Sequence, residues 1–215
     1  MVRVKICGIS EVAYAAFAAE AGADYVGVVF AKSRRRVSLE TARQIAFAIK
    51  NVNPKPELVG VFVNETIEKV EQIAKECGLD RVQLSGEETI EYCKKISLPV
   101  IKTVHIPVSA QAQEVSDIVA SWYMAMKSRK FCCLLDTAVP GKHGGTGKAF
   151  DWEIVKEVAA RFPVFIAGGL TPENVAQVIH KVHPWGVDVS SGVETNGKKD
   201  PEKIGAFIRA VWNAE

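Results

Sequence analysis

Short apolar segments alternate with longer helical patterns eight times along this chain of 215 residues. The apolar segments, which are typical of buried strands, span residues 2–6, 25–30, 58–63, 81–84, 100–104, 131–135, 164–167 and 187–190. The helical patterns span residues 11–21, 39–50, 66–77, 88–96, a stretch within 109–126, 152–161, 171–180 and 201–212. Eight such units without a linker predict an α/β fold, a single (β/α)8 TIM barrel with residues 1–215 as one domain. A doubly wound sheet is the alternative, but it gives no reason for eight repeats.

The composition is that of an ordinary globular protein, with 48% hydrophobic and 24% charged residues. The formal net charge of +2 is too small to predict binding to nucleic acid. No apolar run approaches the roughly 20 residues of a membrane-spanning helix, and the first residues lack the apolar core of a signal peptide. The five cysteines form no Cys-x-x-Cys pair, which favours free thiols over disulfides or a zinc site. We therefore expect a cytoplasmic protein with no membrane, nucleic-acid or metal partner.

The side chains that face the barrel axis follow from the period of two along each strand. In the first strand the apolar residues would face the helices, which directs Lys5 and Cys7 inward with Cys7 at the mouth. The same parity places Asp136 at the mouth end of the sixth strand and Asp188 inward in the eighth. Strands one and eight are neighbours in a closed barrel, so we expect Lys5 and Asp188 to pair, since either charge alone is costly to bury.

A thiol and a carboxyl at the mouth of one barrel are a pair of groups that can move protons. A thiolate with a lowered pKa removes a proton, and a carboxylic acid donates one. Lys5, one inward step below Cys7, is a candidate to stabilise the thiolate. Asp136 must be protonated when it donates, so its pKa should be raised by burial or by nearby anions. A cysteine at a strand end is more often a packing residue, but Gly8 and polar residues follow Cys7, as at a position exposed to ligand.

Glycine-rich loops follow strands six, seven and eight. The first loop, residues 137–151, holds four glycines among cationic side chains; Gly168 and Gly169 follow strand seven, and a Ser-Ser-Gly segment at 190–192 follows strand eight. Loops after strands seven and eight are a frequent phosphate site in this barrel, because backbone amides and a helix N-terminus meet the anion there. Each motif alone also fits a tight turn, but together they predict a phosphorylated small molecule as the ligand.

A basic run at residues 32–36 follows the second strand at the same rim. Such a run is usually a solvated loop. As part of a site, an arginine there would bind a substrate carboxylate through two parallel hydrogen bonds.

With these residues assembled, the chain resembles the phosphoribosylanthranilate isomerase family of tryptophan biosynthesis. The matching motifs extend over essentially the whole chain: KICGI at 5–9, KSRR at 32–35, GVFVN at 60–64, LLD and GGTGKAFDW within 134–152, AGGLTPENV at 167–175 and DVSSGVE at 188–194. The resemblance implies a (β/α)8 barrel that converts N-(5-phosphoribosyl)anthranilate to 1-(2-carboxyphenylamino)-1-deoxyribulose 5-phosphate by an Amadori rearrangement. It implies no cofactor.

The resemblance also implies roles for individual residues. Cys7 would be the general base, Asp136 the general acid, and Arg35 the arginine that holds the anthranilate carboxylate. The residues expected to bind substrate are Arg35, Gly144, Gly145, Gly168, Gly169, Asp188, Ser190, Ser191 and Gly192. The family commonly reads VQLHG after strand four and this chain reads VQLSG, with Ser85 in place of the histidine. This departure leaves any role of that histidine open here.

Other phosphosugar barrels are the alternatives. An epimerase needs metal ligands at the strand ends, and His105 near the end of strand five has no matching set of His and Asp residues on the other strands. An indole-glycerol-phosphate synthase relative needs a catalytic lysine and glutamates at the mouth; Lys102 is one inward candidate, but the glutamates are missing. A non-catalytic phosphate-binding barrel would keep the glycine loops without opposing Cys7 to Asp136. A monomer and a homodimer both remain open.

Overall fold

The structure of the chain, a computed structural model, describes residues 1–107, 110–127, 130–137 and 152–214. The strands of the central sheet are β1 (Arg3–Ile6), β2 (Tyr25–Val29), β3 (Glu57–Phe62), β4 (Arg81–Leu84), β5 (Val100–Ile106), β6 (Phe131–Thr137), β7 (Val164–Ala167) and β8 (Gly186–Val189). The α-helices are α1 (Val12–Glu20), α2 (Leu39–Ile49), α3 (Ile67–Cys77), α4 (Ile90–Lys94), α5 (Ala112–Met126), α6 (Trp152–Arg161), α7 (Val175–Val182) and α8 (Pro201–Trp212). A 3-10 turn (Ser191–Val193) and a short hairpin, β9 (Glu194–Thr195) and β10 (Lys198–Lys199), lie between β8 and α8.

The eight strands form a closed parallel barrel in sequence order. Closure is made by β1, which pairs in parallel with β2 on one side and with β8 on the other. An open, doubly wound sheet would leave two edge strands. The predicted (β/α)8 barrel is therefore confirmed, and the C-terminal ends of all eight strands meet at one rim.

Two apolar layers hold the barrel together. The barrel interior is filled by side chains from alternating positions of the strands, namely Tyr25, Val59, Ile101, Cys132, Leu134, Phe165 and Ala167. The other face of each strand packs against the helices in a larger cluster that includes Ile6, Val26 and Val187. Because both faces are buried, the strands are the short continuous apolar runs seen in the sequence. This interior layer fills the barrel below the C-terminal rim, where a ligand site would lie.

Side chains at the helix termini explain where several helices begin and end. Ser38, the predicted N-cap of α2, accepts a hydrogen bond from the amide of Thr41 at 3.0 Å, and Asp200 caps α8 by accepting from Glu202 N at 3.0 Å. Such oxygens satisfy amides that have no partner within the helix. Gly78, the predicted stop of α3, has φ of +64°, in the left-handed region that glycine adopts without steric cost.

The start of α7 differs from the prediction and changes the loop after β7. The sequence predicts a helix from Thr171, but α7 begins at Val175, and residues 172–174 form a turn. Asn174 holds this turn: its Oδ1 accepts from Thr171 N at 2.8 Å, and its Nδ2 donates to Gly169 O at 2.9 Å. Short polar side chains compete with helical hydrogen bonds in this way. Thr171 was the expected N-cap and Asn174 occupies that position, so the helix begins three residues farther from the glycine pair than expected.

Two strands extend beyond their predicted ends. β5 continues to Ile106 and β6 to Thr137, because the two strands keep pairing, with His105 opposite Asp136 in the register. The sequence prediction ended both strands where the apolar run stopped. Among the described residues, no helix has the length and apolar character needed to cross a bilayer.

Candidate active site

A cavity of about 230 Å³ opens at the C-terminal ends of the barrel strands. Its walls include most of the residues expected at the site: Asp136, Gly168, Gly169, Asp188, Ser190, Ser191 and Gly192. Four polar side chains that the prediction of the substrate site did not include also line the cavity. Gln83 lies on β4, Ser85 directly follows β4, and Thr103 and His105 lie on β5. The predicted Gly144 and Gly145 lie outside the described residues.

A buried ion pair links β1 to β8 beneath this cavity. Lys5 Nζ lies 2.8 Å from Asp188 Oδ1, and the lysine side chain is fully buried while that of Asp188 is 9% exposed. The register explains the contact, because Lys5 and Asp188 are directly opposite in the β1–β8 pairing. The expected pair of inward charges is confirmed. Asp188 is also part of the cavity wall, so the pair brings charge to the edge of the site.

Cys7 lies one inward step above Lys5, but it is buried and is not among the residues that line this cavity, contrary to the expected position exposed to ligand. Its amide donates to Val189 O at 2.8 Å, which fixes the end of β1 against β8. Burial raises the pKa of the Cys7 thiol, the charge of Lys5 lowers it, and Asp188 raises it again, with a net upward direction. Lys5 therefore acts on the thiol as expected, but it does not produce the expected lowered pKa, because burial outweighs it and Asp188 partly offsets its charge.

Asp136 ends the inward row of β6. Burial by the surrounding walls raises the pKa of its carboxyl; His105 lowers the pKa, and Asp188 raises it, with a net upward direction. The direction agrees with the expectation for a general acid. Asp188 raises the pKa of both Asp136 and Cys7, so its negative charge acts on both candidate proton-transfer groups.

Arg35 already has a carboxylate partner, which the sequence analysis did not foresee. Its Nε lies 2.6 Å from Glu194 Oε1 and its Nη2 lies 3.1 Å from Glu194 Oε2. Arg34 and Lys199 also donate to this carboxylate, at 2.5 and 3.1 Å. Burial opposes the charge of Glu194, but the bond from Arg35 and the charge of Lys199 dominate and lower its pKa. Glu194 was present in the DVSSGVE motif, but no local sequence signal pairs it with a basic loop 159 residues away.

The Arg35 side chain packs over the end of β1. A Cβ added to Gly8 would come within 2.5 Å of Arg35 Cδ and 3.0 Å of Ser190 Oγ. Gly8 also has φ of +74°, a conformation that favours glycine. This glycine therefore lets the β2 loop and the β8 loop approach one another beside Cys7.

The glycine loops after β7 and β8 touch each other. Gly168 and Gly169 have φ of +96° and +62°, in the left-handed region. A Cβ added to Gly192 would lie 1.8 Å from Leu170 O, so only glycine allows the two loops to pack this closely. Lys199 Nζ donates to Ser190 O at 2.8 Å and anchors the start of the β8 loop.

Four side chains along β4 and β5 form a polar wall inside the cavity. Gln83 Nε2 donates to Ser85 Oγ at 3.0 Å and to Thr103 Oγ1 at 3.3 Å, and these hydroxyls are 2.9 Å apart. His105 Nε2 lies 3.1 Å from Ser85 O. Gln83 and Ser85 point inward as the strand parity predicts. Gln83 Oε1 is buried, and no group in the described part of the chain donates a hydrogen bond to it.

Lys102 does not face the barrel interior, and its proposed place in a synthase site is wrong. It lies on the outer face of β5, where its Nζ is 2.8 Å from Glu88 Oε2, with both side chains buried. Glu88 also accepts from Asn64 N at 2.8 Å and from Gly86 N at 3.0 Å. The residues of β5 that line the cavity are Thr103 and His105. Within the described ranges, no group of three or more His, Cys, Asp or Glu residues is placed to hold a metal ion.

Comparisons with known proteins agree with this geometry. The family model of N-(5′-phosphoribosyl)anthranilate isomerase matches residues 4–210. An N-(5′-phosphoribosyl)anthranilate isomerase from Dehalococcoides mccartyi is 49% identical over the whole chain and 98% of its own length. The crystal structure of the enzyme from Thermotoga maritima is 44% identical, with a TM-score of 0.83 over 99% of this chain and 100% of that one.

A second solved structure of such an enzyme contains reduced 1-(o-carboxyphenylamino)-1-deoxyribulose 5-phosphate. It is 41% identical, with a TM-score of 0.81 over 99% of this chain and 100% of that chain. The Thermotoga maritima enzyme is described as dimeric.

The closed barrel and the location of the site define the class of protein, a (β/α)8-barrel enzyme with its site at the C-terminal ends of the strands. The chain belongs to the N-(5′-phosphoribosyl)anthranilate isomerase family. Its activity is that of an isomerase in tryptophan biosynthesis.

Proposed function

We propose that this chain converts N-(5-phosphoribosyl)anthranilate to 1-(2-carboxyphenylamino)-1-deoxyribulose 5-phosphate with Cys7 as general base and Asp136 as general acid. The observation that supports the residue roles is geometric: Asp136 and Asp188 line one cavity, and Asp188 pairs with Lys5, one inward step below Cys7. A thiol and a carboxyl that act at one barrel mouth can remove and donate protons on one small substrate.

The proposed reaction uses the two groups in turn. Asp136 donates its proton to the furanose ring oxygen, the C1′–O bond breaks, and a protonated Schiff base forms. The Cys7 thiolate then removes the proton from C2′ to give an enolamine. Tautomerisation moves the enol proton to solvent and brings a proton to C1′, which yields the ketone. Solvent returns a proton to Asp136 and takes one from Cys7, so the cycle is balanced.

The active form has Asp136 protonated and Cys7 ionised. The raised pKa of Asp136 favours the first condition. Burial works against the second, because it raises the pKa of Cys7, and Lys5 is the group that opposes this effect. Lys5 therefore increases the fraction of the enzyme in which Cys7 is ionised.

The substrate would be held by its two anionic ends. The phosphate would bind the glycine loops after β7 and β8, with Gly168, Gly169, Ser190, Ser191 and Gly192 in contact. The anthranilate carboxylate would bind Arg35, whose guanidinium Glu194 already orients. A guanidinium has five N–H donors, so the carboxylate would use donors that Glu194 does not occupy. Gly144 and Gly145 would add to the phosphate site.

The domain organisation, cellular location, cofactor requirement and oligomeric state are proposed as well. We expect the chain to act as a single domain in the cytoplasm without a cofactor, as a monomer or a homodimer. The substrate is a phosphorylated small molecule.

The test uses the purified chain and freshly prepared substrate, with loss of the anthranilate fluorescence as the readout. Cys7→Ala should lose nearly all turnover while the Kd for the product analogue changes only a few-fold, and Asp136→Asn should behave in the same way. Cys77→Ala, which removes a buried thiol on α3, is the matched control. A wild-type chain that binds the product analogue and turns nothing over would instead indicate a non-catalytic phosphate-binding barrel.

A further inference from the structure

Gln83, Ser85 and Thr103 form a closed hydrogen-bonded triangle on the β4–β5 side of the cavity. Gln83 Nε2 donates to Ser85 Oγ at 3.0 Å and to Thr103 Oγ1 at 3.3 Å, and the two hydroxyl oxygens lie 2.9 Å apart. All three side chains line the cavity. Gln83 and Thr103 are 5% and 4% exposed, whereas Ser85 is only partly buried. Ser85, which stands where the family motif carries a histidine, is therefore the member of the triangle with the most access to a ligand.

The triangle leaves one hydroxyl hydrogen unused. Each hydroxyl has one hydrogen and two lone pairs. Gln83 supplies the hydrogens of two contacts, so the third contact, between Ser85 Oγ and Thr103 Oγ1, needs only one of the two hydroxyl hydrogens. In the described part of the chain, no group outside the triangle accepts a hydrogen from either hydroxyl. One hydroxyl therefore has a hydrogen to give to a ligand.

Burial decides which hydroxyl keeps the unused hydrogen. If Ser85 donated to Thr103, the hydrogen of Thr103 would lack an acceptor at a buried position, which costs free energy. If Thr103 donates to Ser85, the unused hydrogen belongs to the more exposed side chain. Ser85 Oγ then accepts from both neighbours, so its two lone pairs are filled and it acts only as a donor toward the cavity.

This donor lies across the barrel from Cys7. The strands close in sequence order, so β1 and β5 are four strands apart in either direction. In the proposed reaction Cys7 removes the proton from C2′, so the hydrogen on that tetrahedral carbon faces β1. The hydroxyl on the same carbon then points away from β1, toward the β4–β5 side. The phosphate loops and Arg35 would hold the two ends of the substrate and leave this 2′-oxygen without a partner.

We propose that Ser85 donates a hydrogen bond to the 2′-oxygen of the substrate and holds this oxygen while Cys7 takes the proton from C2′. The proposal rests on the proposed function. The 2′-oxygen is a hydroxyl in the substrate, an enol hydroxyl in the intermediate and a ketone in the product, and it has a lone pair that accepts this bond at every stage. Because the lone pairs of Ser85 are filled, Ser85 does not compete with solvent for the enol proton.

Two sugar phosphates isolate the contact with the 2′-oxygen. Ribose 5-phosphate and 2-deoxyribose 5-phosphate differ only in the oxygen on C2, and titration calorimetry with the purified chain gives a Kd for each. The wild type should bind ribose 5-phosphate about fivefold more tightly, as expected for one hydrogen bond between neutral groups. Ser85→Ala should bind the two equally, and Ser85→Thr, which keeps the hydroxyl, should retain most of the preference. The preference is a ratio within one variant, so a partly unfolded sample leaves it unchanged.

Turnover of the full substrate is the second readout. Ser85→Ala should lower kcat/KM about fivefold. Adding Thr103→Val to Ser85→Ala should have almost no further effect, because Thr103 acts through Ser85. Ser121→Ala is the matched control and should behave as the wild type, since Ser121 is an exposed serine on α5 whose Oγ donates to Ile118 O at 2.7 Å.

A wild type without the preference for ribose 5-phosphate, or a preference that persists in Ser85→Ala, would overturn the proposal. Cys7→Ala and Asp136→Asn, measured in the turnover assay, separate this failure from failure of the proposed function. If both are inactive while Ser85→Ala keeps the preference and full turnover, Ser85 has no such role and the acid–base assignment stands. If either remains active, the acid–base assignment is wrong, and the sugar-phosphate preference alone decides whether Ser85 contacts the 2′-oxygen.

Discussion

Lys5 and Asp188 are 183 residues apart in the chain and 2.8 Å apart in the barrel, where Lys5 is fully buried. The pair closes the sheet between its first and last strands and provides charge beside Cys7. It therefore contributes to the fold and to the site at once. Removing either charge should affect stability and turnover, but through different physical causes.

Lys5→Met should destabilise the fold by about 3–5 kcal/mol, because Asp188 is left as a buried, unpaired charge. It should also abolish turnover, because the pKa of Cys7 rises further without the lysine. Urea unfolding and the fluorescence assay measure the two effects. The double variant Lys5→Met with Asp188→Asn should recover much of the stability and none of the turnover. Recovery of turnover in the double variant would show that Lys5 does not act on the thiol.

Arg35→Ala should raise KM strongly and leave the fold intact, because the proposed carboxylate partner of the substrate is lost. Arg35→Lys should recover only part of the binding, since an ammonium cannot present two parallel N–H donors. Glu194→Gln should raise KM by a smaller factor, because it weakens the contact that orients Arg35. Steady-state kinetics of these variants and of Arg34→Ala and Arg36→Ala provide the check. A larger effect of either neighbour would mean that a different arginine holds the carboxylate.

Asp136→Asn should make the protein more stable at neutral and alkaline pH while it removes turnover. The folded-state pKa of Asp136 is raised, so the folded protein binds more protons than the unfolded chain between the two pKa values. Stability then falls as pH rises through that window. The Tm difference between Asp136→Asn and wild type should therefore be larger at pH 8 than at pH 4. Asp117→Asn on α5 is the control, and an equal Tm difference at both pH values would contradict the raised pKa.

Gly192→Ala should weaken binding of phosphorylated ligands and lower Tm together. Its Cβ would meet Leu170 O at 1.8 Å, so the loops after β7 and β8 must separate. Gly78→Ala is the matched control, because it has left-handed φ but nothing within 4 Å of its Cβ. It should cost about 1–2 kcal/mol of stability from the left-handed backbone alone and leave the Kd for the product analogue unchanged. An unchanged Kd in Gly192→Ala would show that the contact between the loops does not shape the phosphate site.

The sequence alone was sufficient for the (β/α)8 barrel, for the inward row of Lys5, Gln83 and Asp188, and for the location of Asp136 at the mouth. These features depend on local patterns: an apolar run buried on both faces predicts a strand, and the period of two decides which side chains share a face. Once closure makes β1 and β8 neighbours, the pairing of Lys5 with Asp188 follows from their registers. The same local patterns placed the glycine pairs at the strand ends.

The tertiary structure alone decided which partner each of the remaining polar groups has. Arg35 pairs with Glu194, 159 residues away, and Lys102 faces the helices to meet Glu88. His105 contacts Asp136 because the polar ends of β5 and β6 continue to pair beyond their apolar runs. The tertiary structure also decided the net direction of the pKa of Cys7, because burial and Asp188 on β8 together outweigh the effect of Lys5. Ion pairs and desolvation depend on distances between distant parts of the chain, and a sequence pattern contains no information on those distances until the barrel has closed.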